Sequence, residues 1–331
     1  MIQAKAILFI ANSQVVVDTV TLPTPGIGEV LVQAEYTCIS PGTELRCLAG
    51  TVAEASPYPY IPGYSLAGRV AAVGEGCHTE VGARVWCTGT SRASVNLTWG
   101  GHVSHALVSE HDLTPIPDAV PMLDAAIGRL AAIAYHGVRL AQTQPHEKVA
   151  VVGLGPIGLL SALCHAATGA EVIVADRLPA RVELAARVGL RGFVAEDSLA
   201  DAFARFLPDG ADVLVDATGL TNLAGALIPV GRMLAWDNTP QPRGARFVIQ
   251  GSTDYDYVFP YLAAFDREMT FLLPRDRQPR DVAAVFDLMA RGRLAVRPLI
   301  SEVRPPADAA ASYDDLRYRR ERYLTIAFQW T

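Results

Sequence analysis

Three glycines in Val149-Ala-Val-Val-Gly153-Leu-Gly155-Pro-Ile-Gly158 carry the spacing of a dinucleotide phosphate loop. An all-apolar run precedes them and a helix-forming run follows, which is the context that gives the pattern meaning. Gly153 permits a tight turn, Gly155 lets a pyrophosphate approach the backbone, and Gly158 lets helix and strand pack closely. The helix mouth then offers unpaired N–H groups and a partial positive charge. Pro156 occupies a first-turn position where its missing donor costs nothing, and Ile157 continues that turn. The next apolar run, Glu171-Val-Ile-Val-Ala175, ends in Asp176. A carboxylate there accepts from both ribose hydroxyls and repels a 2′-phosphate, favouring NAD over NADP. Arg177 either stacks along the adenine or offsets the acid and admits some NADP. Arg181 joins the candidate cofactor residues, as do Ala217, Thr218 and Gly219, small groups that close a later strand after Asp216 and leave room for a nucleotide. The competing reading is a glycine turn that binds nothing; the placement of Asp176 argues against it.

Two kinds of element must position these groups. From Ile2 to about Pro117 the sequence reads as β: Val15–Val17, Glu29–Ala34, Gly68–Val73, Ala83–Cys87 and His105–Val108 are short runs broken by glycine and proline. That spacing predicts a barrel-like or sandwich-like β domain. Leu123 to Gln142 is alanine- and leucine-rich with helical spacing. Strands then alternate with helices: Val149–Val152, Ile157–Ala167, Glu171–Ala175, Arg181–Arg187, Val213–Ala217 and a strand at Arg232–Trp236. The strands are almost entirely apolar, as parallel strands covered on both faces must be. Such alternation predicts an α/β doubly wound sheet. Asp281–Arg291 is a predicted helix and Tyr323–Gln329 a closing strand. The expected division is 1–125, 126–274, and 275–331 returning to the first domain.

The chain's 331 residues suit two domains, and 19% charged residues with 50% hydrophobic exclude intrinsic disorder. A net charge of −6 without a Lys/Arg cluster argues against nucleic acid as partner. Five scattered cysteines lack the CxxC pairs of a structural zinc and the density of a disulfide framework, which suits a reducing cytoplasm. Val149 to Ala170 is free of charged residues, yet its glycines and proline mark a buried strand turning into a helix, so no membrane association is expected.

Three stretches together resemble the medium-chain dehydrogenase/reductase superfamily: Cys38-Ile-Ser-Pro-Gly-Thr-Glu44, Gly63-Tyr-Ser-Leu-Ala-Gly68 with Gly74 beyond, and the phosphate loop preceded by Ala134-Tyr-His136. The resemblance covers essentially the whole chain. It implies an N-terminal GroES-like β domain plus a Rossmann domain, NAD(P)-dependent hydride transfer on a small-molecule substrate, and a homodimer. In zinc-dependent relatives a Cys, a His and a second Cys or acid hold the catalytic metal. The matching positions here are Ser40, Tyr64 and Arg129, and the acid usual after the histidine is Ser65. Hydroxyl, phenol and guanidinium do not suit zinc, so the expected metal set is empty. Glu44, His102, His105 and Cys38 form an alternative ligand group that folding would have to gather. The plainer reading of the two histidines is solvated loop positions. Ser-Pro-Gly-Thr-Glu and Pro-Gly-Tyr are similar to the zinc-lacking bacteriochlorophyllide dehydrogenases.

Without a Lewis acid, hydrogen-bonding side chains must handle the substrate proton. The resemblance makes Tyr64 the first candidate, with Thr43 and Ser40 as relay hydroxyls. Tyr64 could instead merely fill the volume that histidine and zinc left. Arg129 could lower the phenol's pKa, bind an anionic substrate, or pair with Glu44. Aromatic residues at Tyr255, Tyr257, Phe259 and Tyr261, with Trp86, Trp99 and Trp236, would suit a bulky hydrophobic substrate if they line a cleft, and are otherwise core or interface groups. The leading expectation is a metal-free NAD-dependent oxidoreductase of an alcohol/ketone pair. A reductase of a conjugated C=C bond or quinone and a non-catalytic nucleotide-binding scaffold are the alternatives.

Overall fold

The structure, a computed structural model, describes residues 1–52, 55–196, 198–237, 243–253 and 255–331. It divides into two units. Unit 1 comprises Met1–Leu130, Val282–Gly292 and Val296–Thr331; unit 2 comprises Ala131–Asp281 and Arg293–Ala295.

Unit 1 is built on the strand Glu29–Cys38. Leu66–Val73, His105–Ser109 and Thr325–Gln329 all pair with it antiparallel, within a seven-stranded sheet. Val30, Val32 and Ala34 alternate along it and are buried with Val70, Val85 and Ala106, the period-2 pattern of a strand with one face in a core. The hairpin Ile2–Ala11 and Gln14–Leu22 belongs to a smaller four-stranded sheet. Thr325–Gln329 matches the closing strand expected from the sequence; its parallel neighbour Ile300–Arg304 was not expected. Between them the helix Ala309–Tyr318 buries Tyr313 and Leu316 against Ile39, Phe9 and Tyr60.

Pro41–Leu48, inside the stretch that the sequence pattern reads as β, is instead a helix with Ser40 as its N-cap. Proline at the first position fixes a helical φ, and Glu44 reaches back so that its Oε1 accepts from Ser40 N–H at 2.7 Å.

Unit 2 is a parallel six-stranded sheet in the order Arg191–Val194, Glu171–Asp176, Lys148–Val152, Val213–Asp216, Arg246–Ile249 and Thr270–Leu272. The helices Pro156–Ala167 and Pro179–Arg187 connect successive strands. Val149, Ala150 and Val151 are fully buried, as the centre of such a sheet demands. Val149 to Ala170 thus resolves into a strand and a helix. No helix among the described residues is long and apolar enough to cross a membrane.

Arg232–Trp236 is not a strand. The neighbours it would have needed are taken, since Val213–Asp216 pairs with Lys148–Val152 on one side and Arg246–Ile249 on the other. Only Gly231 makes an isolated bridge, to Ala211. Arg246 hid the true strand from pattern reading: a cation opens it, yet the side chain is buried, donating to Glu147 Oε1 and the Ala141 carbonyl.

Candidate active site

Unit 2 presents the dinucleotide features around Gly153, which has φ +90°, a conformation open to glycine. A Cβ on Gly158 would lie 1.7 Å from Gly153 O, so the close approach of helix and turn requires glycine there. Gly155 differs. A Cβ on it would meet nothing within 4 Å, so the protein itself leaves that space open. Gly155 is the N-cap of Pro156–Ala167, and Gly155, Pro156 and Ile157 remain partly exposed at the helix mouth. Asp176 closes its strand with Oδ2 accepting from Leu154 N–H at 2.5 Å and Oδ1 from Leu178 N–H at 2.8 Å. The acid is thereby held against the phosphate loop. Arg177 is exposed beside it, whereas Arg181 is buried in the following helix. Ala217, Thr218 and Gly219 are half-buried after Asp216, with Thr218 Cγ2 packed on Gly153. An open cradle at a helix N-terminus with an acid on the adjoining strand fits a dinucleotide.

In unit 1 the four candidate catalytic residues come together. The Tyr64 hydroxyl donates to Ser40 Oγ and its oxygen lies 3.3 Å from Thr43 Oγ1. The Arg129 guanidinium carbon sits 4.7 Å from the centre of the Tyr64 ring, and Trp99 meets that ring edge-on. Burial pushes the phenol up to about 12, with the hydroxyls of Ser40 and Thr43 and the Arg129 cation pulling the other way. Tyr64 is therefore a proton-bearing phenol at neutral pH. Ser65, beside it, accepts from the Arg129 backbone N–H at 3.3 Å and from the Trp86 indole at 3.0 Å, tying the start of the helix Gly128–Ala141 to the Tyr64 turn. Arg129 Nη1 also donates to Thr88 Oγ1 at 3.1 Å. Trp86 is fully buried and so is a core residue, not part of a substrate surface.

The expectation that His102 is solvated is overturned. His102 is fully buried, its Nε2 2.9 Å from Glu44 Oε2 and its Nδ1 2.8 Å from Thr37 Oγ1. Glu44 also accepts from Tyr313 O–H at 2.5 Å, so its carboxylate is spent on this network and not on Arg129. No apolar spacing announces a buried histidine on a Gly-Gly-His turn; the signal available was Gly63. That glycine has φ +84°, and a Cβ would lie 2.5 Å from His102 Cδ2. Of the other alternative ligands, Cys38 Sγ faces Thr325 Oγ1 and His105 faces Ser104 Oγ. Among the described residues no three His, Cys, Asp or Glu groups are placed to share an ion. At the positions the resemblance matches to metal ligands, a hydroxyl, a phenol and a guanidinium do not form a donor set for zinc.

Residues 26–118 match the alcohol dehydrogenase GroES-like domain. An uncharacterized zinc-type alcohol dehydrogenase-like protein of Escherichia coli, YphC, is 31% identical over 261 residues, covering 68% of this chain and 72% of the relative. The chain belongs to the medium-chain dehydrogenase/reductase superfamily. The 2-desacetyl-2-hydroxyethyl bacteriochlorophyllide A dehydrogenase of Rhodobacter capsulatus is 29% identical, covering 88% of this chain and 87% of the relative. The 2R,3R-butanediol dehydrogenase structure from Bacillus subtilis superposes with a TM-score of 0.86 over 98% of this chain and 99% of that one, at 20% identity, which shows the shared fold. This medium-chain dehydrogenase/reductase is thus an oxidoreductase with a GroES-like domain and a Rossmann sheet, of a superfamily whose members use NAD(P).

Proposed function

We propose that the protein is an NAD-dependent, metal-independent dehydrogenase of an alcohol/ketone pair, with Tyr64 as its proton-bearing group. The observation that carries this is the junction of the Tyr64 phenol with the Ser40 and Thr43 hydroxyls under the Arg129 cation. Gly153, Gly155, Pro156, Ile157 and Gly158 would cradle the pyrophosphate, Asp176 the adenosine ribose, and Ala217, Thr218 and Gly219 the further half of the cofactor. When bound, the nicotinamide supplies the hydride acceptor or donor.

The chain's own part is the proton. In carbonyl reduction the Tyr64 O–H would leave Ser40 Oγ, to which it donates here, and turn to the developing alkoxide, with the Ser40 and Thr43 hydroxyls then donating to the phenol oxygen and stabilising its anion. Arg129 across the ring opposes the charge that remains. In the oxidative direction the same atoms accept the proton, so the phenolate form of Tyr64 is the competent one. Asp176 supports NAD over NADP by charge. The Rhodobacter relative is named for 2-desacetyl-2-hydroxyethyl bacteriochlorophyllide A, which places a bulky hydroxyethyl compound in the substrate panel beside small alcohols and polyols.

A homodimer completes the reading. Thr270–Leu272 is the last strand of its sheet, and beside it Trp236, Phe259, Tyr261, Phe265 and Phe271 line an open depression of about 550 Å³. Trp236 is 78% and Tyr261 70% exposed, an apolar surface at a strand edge of the kind a second copy covers.

The deciding experiment measures turnover of NAD with the alcohol panel for the wild type and Tyr64→Phe. A loss on the order of a hundredfold supports the phenol as proton donor. Unchanged turnover would leave Tyr64 a packing residue and remove the basis for metal-free chemistry at this site.

A further inference from the structure

Tyr257 lies in the segment between the strand Arg246–Ile249 and the helix Tyr261–Phe265. Its hydroxyl donates at 2.7 Å to Asp216 Oδ2, and its half-buried ring meets Phe247 edge-on. Asp216 is fully buried at the end of its strand. Its other oxygen accepts from Thr218 N–H at 2.8 Å and from Thr218 Oγ1 at 2.6 Å. A carboxylate removed from water needs such donors, and here a phenol supplies one and a single threonine two. Thr218 Cγ2 in turn lies against Gly153, where a Cβ would approach to 2.8 Å. The backbone closes the same corner, as Asp216 O accepts from both Gln250 and Gly251 N–H at 2.8 Å. One line of contacts therefore runs from the Tyr257 phenol through Asp216 and Thr218 to the phosphate turn.

The geometry points to Tyr257 as a positioning residue for dinucleotide binding, acting through the Asp216 carboxylate on the Ala217-Thr218-Gly219 turn. It rests on unit 2 binding a dinucleotide. The strand Lys148–Val152 lies between Glu171–Asp176 and Val213–Asp216, so Asp176 and the Thr218 turn stand on opposite sides of the phosphate loop. The adenosine half is read on the Asp176 side. Tyr257 bears on the other half, the one carrying the nicotinamide.

Removing the phenol oxygen should therefore affect the two halves unequally. In Tyr257→Phe the ring and its packing on Phe247 stay, while Asp216 Oδ2 loses its donor and the carboxylate, with Thr218 still bonded to Oδ1, is free to turn. The test titrates NADH by its own fluorescence and AMP by competition, on the full chain. The expected result is NADH affinity weakened about tenfold, with AMP affinity changed less than about twofold. Thr218→Val, which withdraws the hydroxyl donor while leaving Tyr257 in place, should show the same selectivity and serves if Tyr257→Phe does not fold. Equal losses for NADH and AMP in both variants would make the contact a general structural one and overturn the assignment. Wild-type affinity for NADH in Tyr257→Phe would overturn it while leaving dinucleotide binding intact. A wild-type protein that binds neither probe would instead remove the dinucleotide reading itself, and the assignment with it.

Discussion

His102 Nε2 lies 2.9 Å from Glu44 Oε2, and neither side chain reaches solvent. Glu44 already accepts from Ser40 N–H and Tyr313 O–H, so the histidine nitrogen facing it is the donor. His102 Nδ1 lies 2.8 Å from the Thr37 hydroxyl, which itself accepts from the Trp330 indole at 3.0 Å. Every polar atom in this line has a partner. The network fixes the Tyr64–Ser40 contact from both sides: Glu44 holds the backbone of Ser40, and the His102 ring packs on Gly63, the residue before Tyr64.

Breaking that pair from one side is the costly change. His102→Phe strips Glu44 of a donor in a buried site, and about 2–3 kcal/mol of stability should be lost. Urea denaturation followed by tryptophan fluorescence checks it. A loss below about 1 kcal/mol would mean that water reaches Glu44 and that the network is not holding the turn.

Why the sequence showed some of this and not the rest follows from what each part depends on. The phosphate loop depends on local steric demands at Gly153 and Gly158, with Gly155 left open between them, and such demands are written at fixed spacing. The strands Lys148–Val152, Glu171–Asp176 and Val213–Asp216 are buried on both faces, so they are apolar throughout and stand out. Arg246–Ile249 did not stand out because its cation is neutralised by Glu147, a residue distant in sequence. The partners of Glu44 likewise come from Gly101-His102 and from Tyr313, which no local pattern links. Tyr64, Ser40, Thr43 and Arg129 were selected by likeness to a metal site, and their convergence in space is a property of the fold.

A phenol raised by burial predicts opposite pH profiles for the two directions of reaction. Tyr64 keeps its proton up to about pH 12, so turnover in carbonyl reduction should stay level through neutral pH and fall only in strong alkali. If Tyr64 is the proton carrier proposed above, alcohol oxidation draws on the ionised phenol and should climb with pH over the same range. Arg129 lowers the phenol's pKa, so Arg129→Met should displace the oxidative rise to higher pH. Paired pH–rate profiles of wild type and variant provide the check, and an oxidative rise that stays in place in the variant would remove Arg129 from this role.

Stability should decline on both sides of neutrality, each side for a nameable reason. Buried His165, with the Arg246 cation nearby, is held down to about 3 from an ordinary 6.5. Below pH 6.5 the unfolded chain takes up a proton that the folded one refuses, so stability falls as pH drops from 6.5 toward 3. The buried thiols of Cys38, Cys87 and Cys164 are pushed from 9.0 up to about 12. Their contribution is intact below pH 9.0 and declines toward 12, as thiols of the unfolded chain ionise first. A tenfold difference in proton affinity between folded and unfolded chain is worth about 1.4 kcal/mol, so either limb amounts to several kcal/mol. Urea midpoints across pH test this, and His165→Gln should flatten the acid limb while leaving the alkaline one unchanged.

The exposed aromatic edge of unit 2 predicts the assembly state. Tyr261 and Phe265 stack with their centroids 5.6 Å apart beside the terminal strand. Tyr261→Glu with Phe265→Glu would set two charges in that surface and should convert a dimer into a monomer in light scattering. A wild-type protein that is monomeric at tens of micromolar would show that this surface has another purpose.

Asp176 offers the sharpest test of cofactor choice because it has two duties. Its carboxylate accepts from Leu154 N–H within the phosphate loop and from Leu178 N–H at the next helix, and in the proposed function it would also set a negative charge against a 2′-phosphate. Asp176→Ser removes the charge and shortens the acceptor. NADPH affinity should rise as the repulsion disappears, and Arg177 beside the site should add to that gain. NADH affinity should fall on the order of tenfold or more, because the ribose loses its acceptor and the Leu154 N–H loses a charged partner at the same time. Fluorescence titration of both cofactors against wild type and variant resolves the two effects. If the variant gains NADPH binding while keeping full NADH affinity, the loop does not need the carboxylate, and Asp176 acts by charge alone. If neither affinity moves, the ribose is read elsewhere.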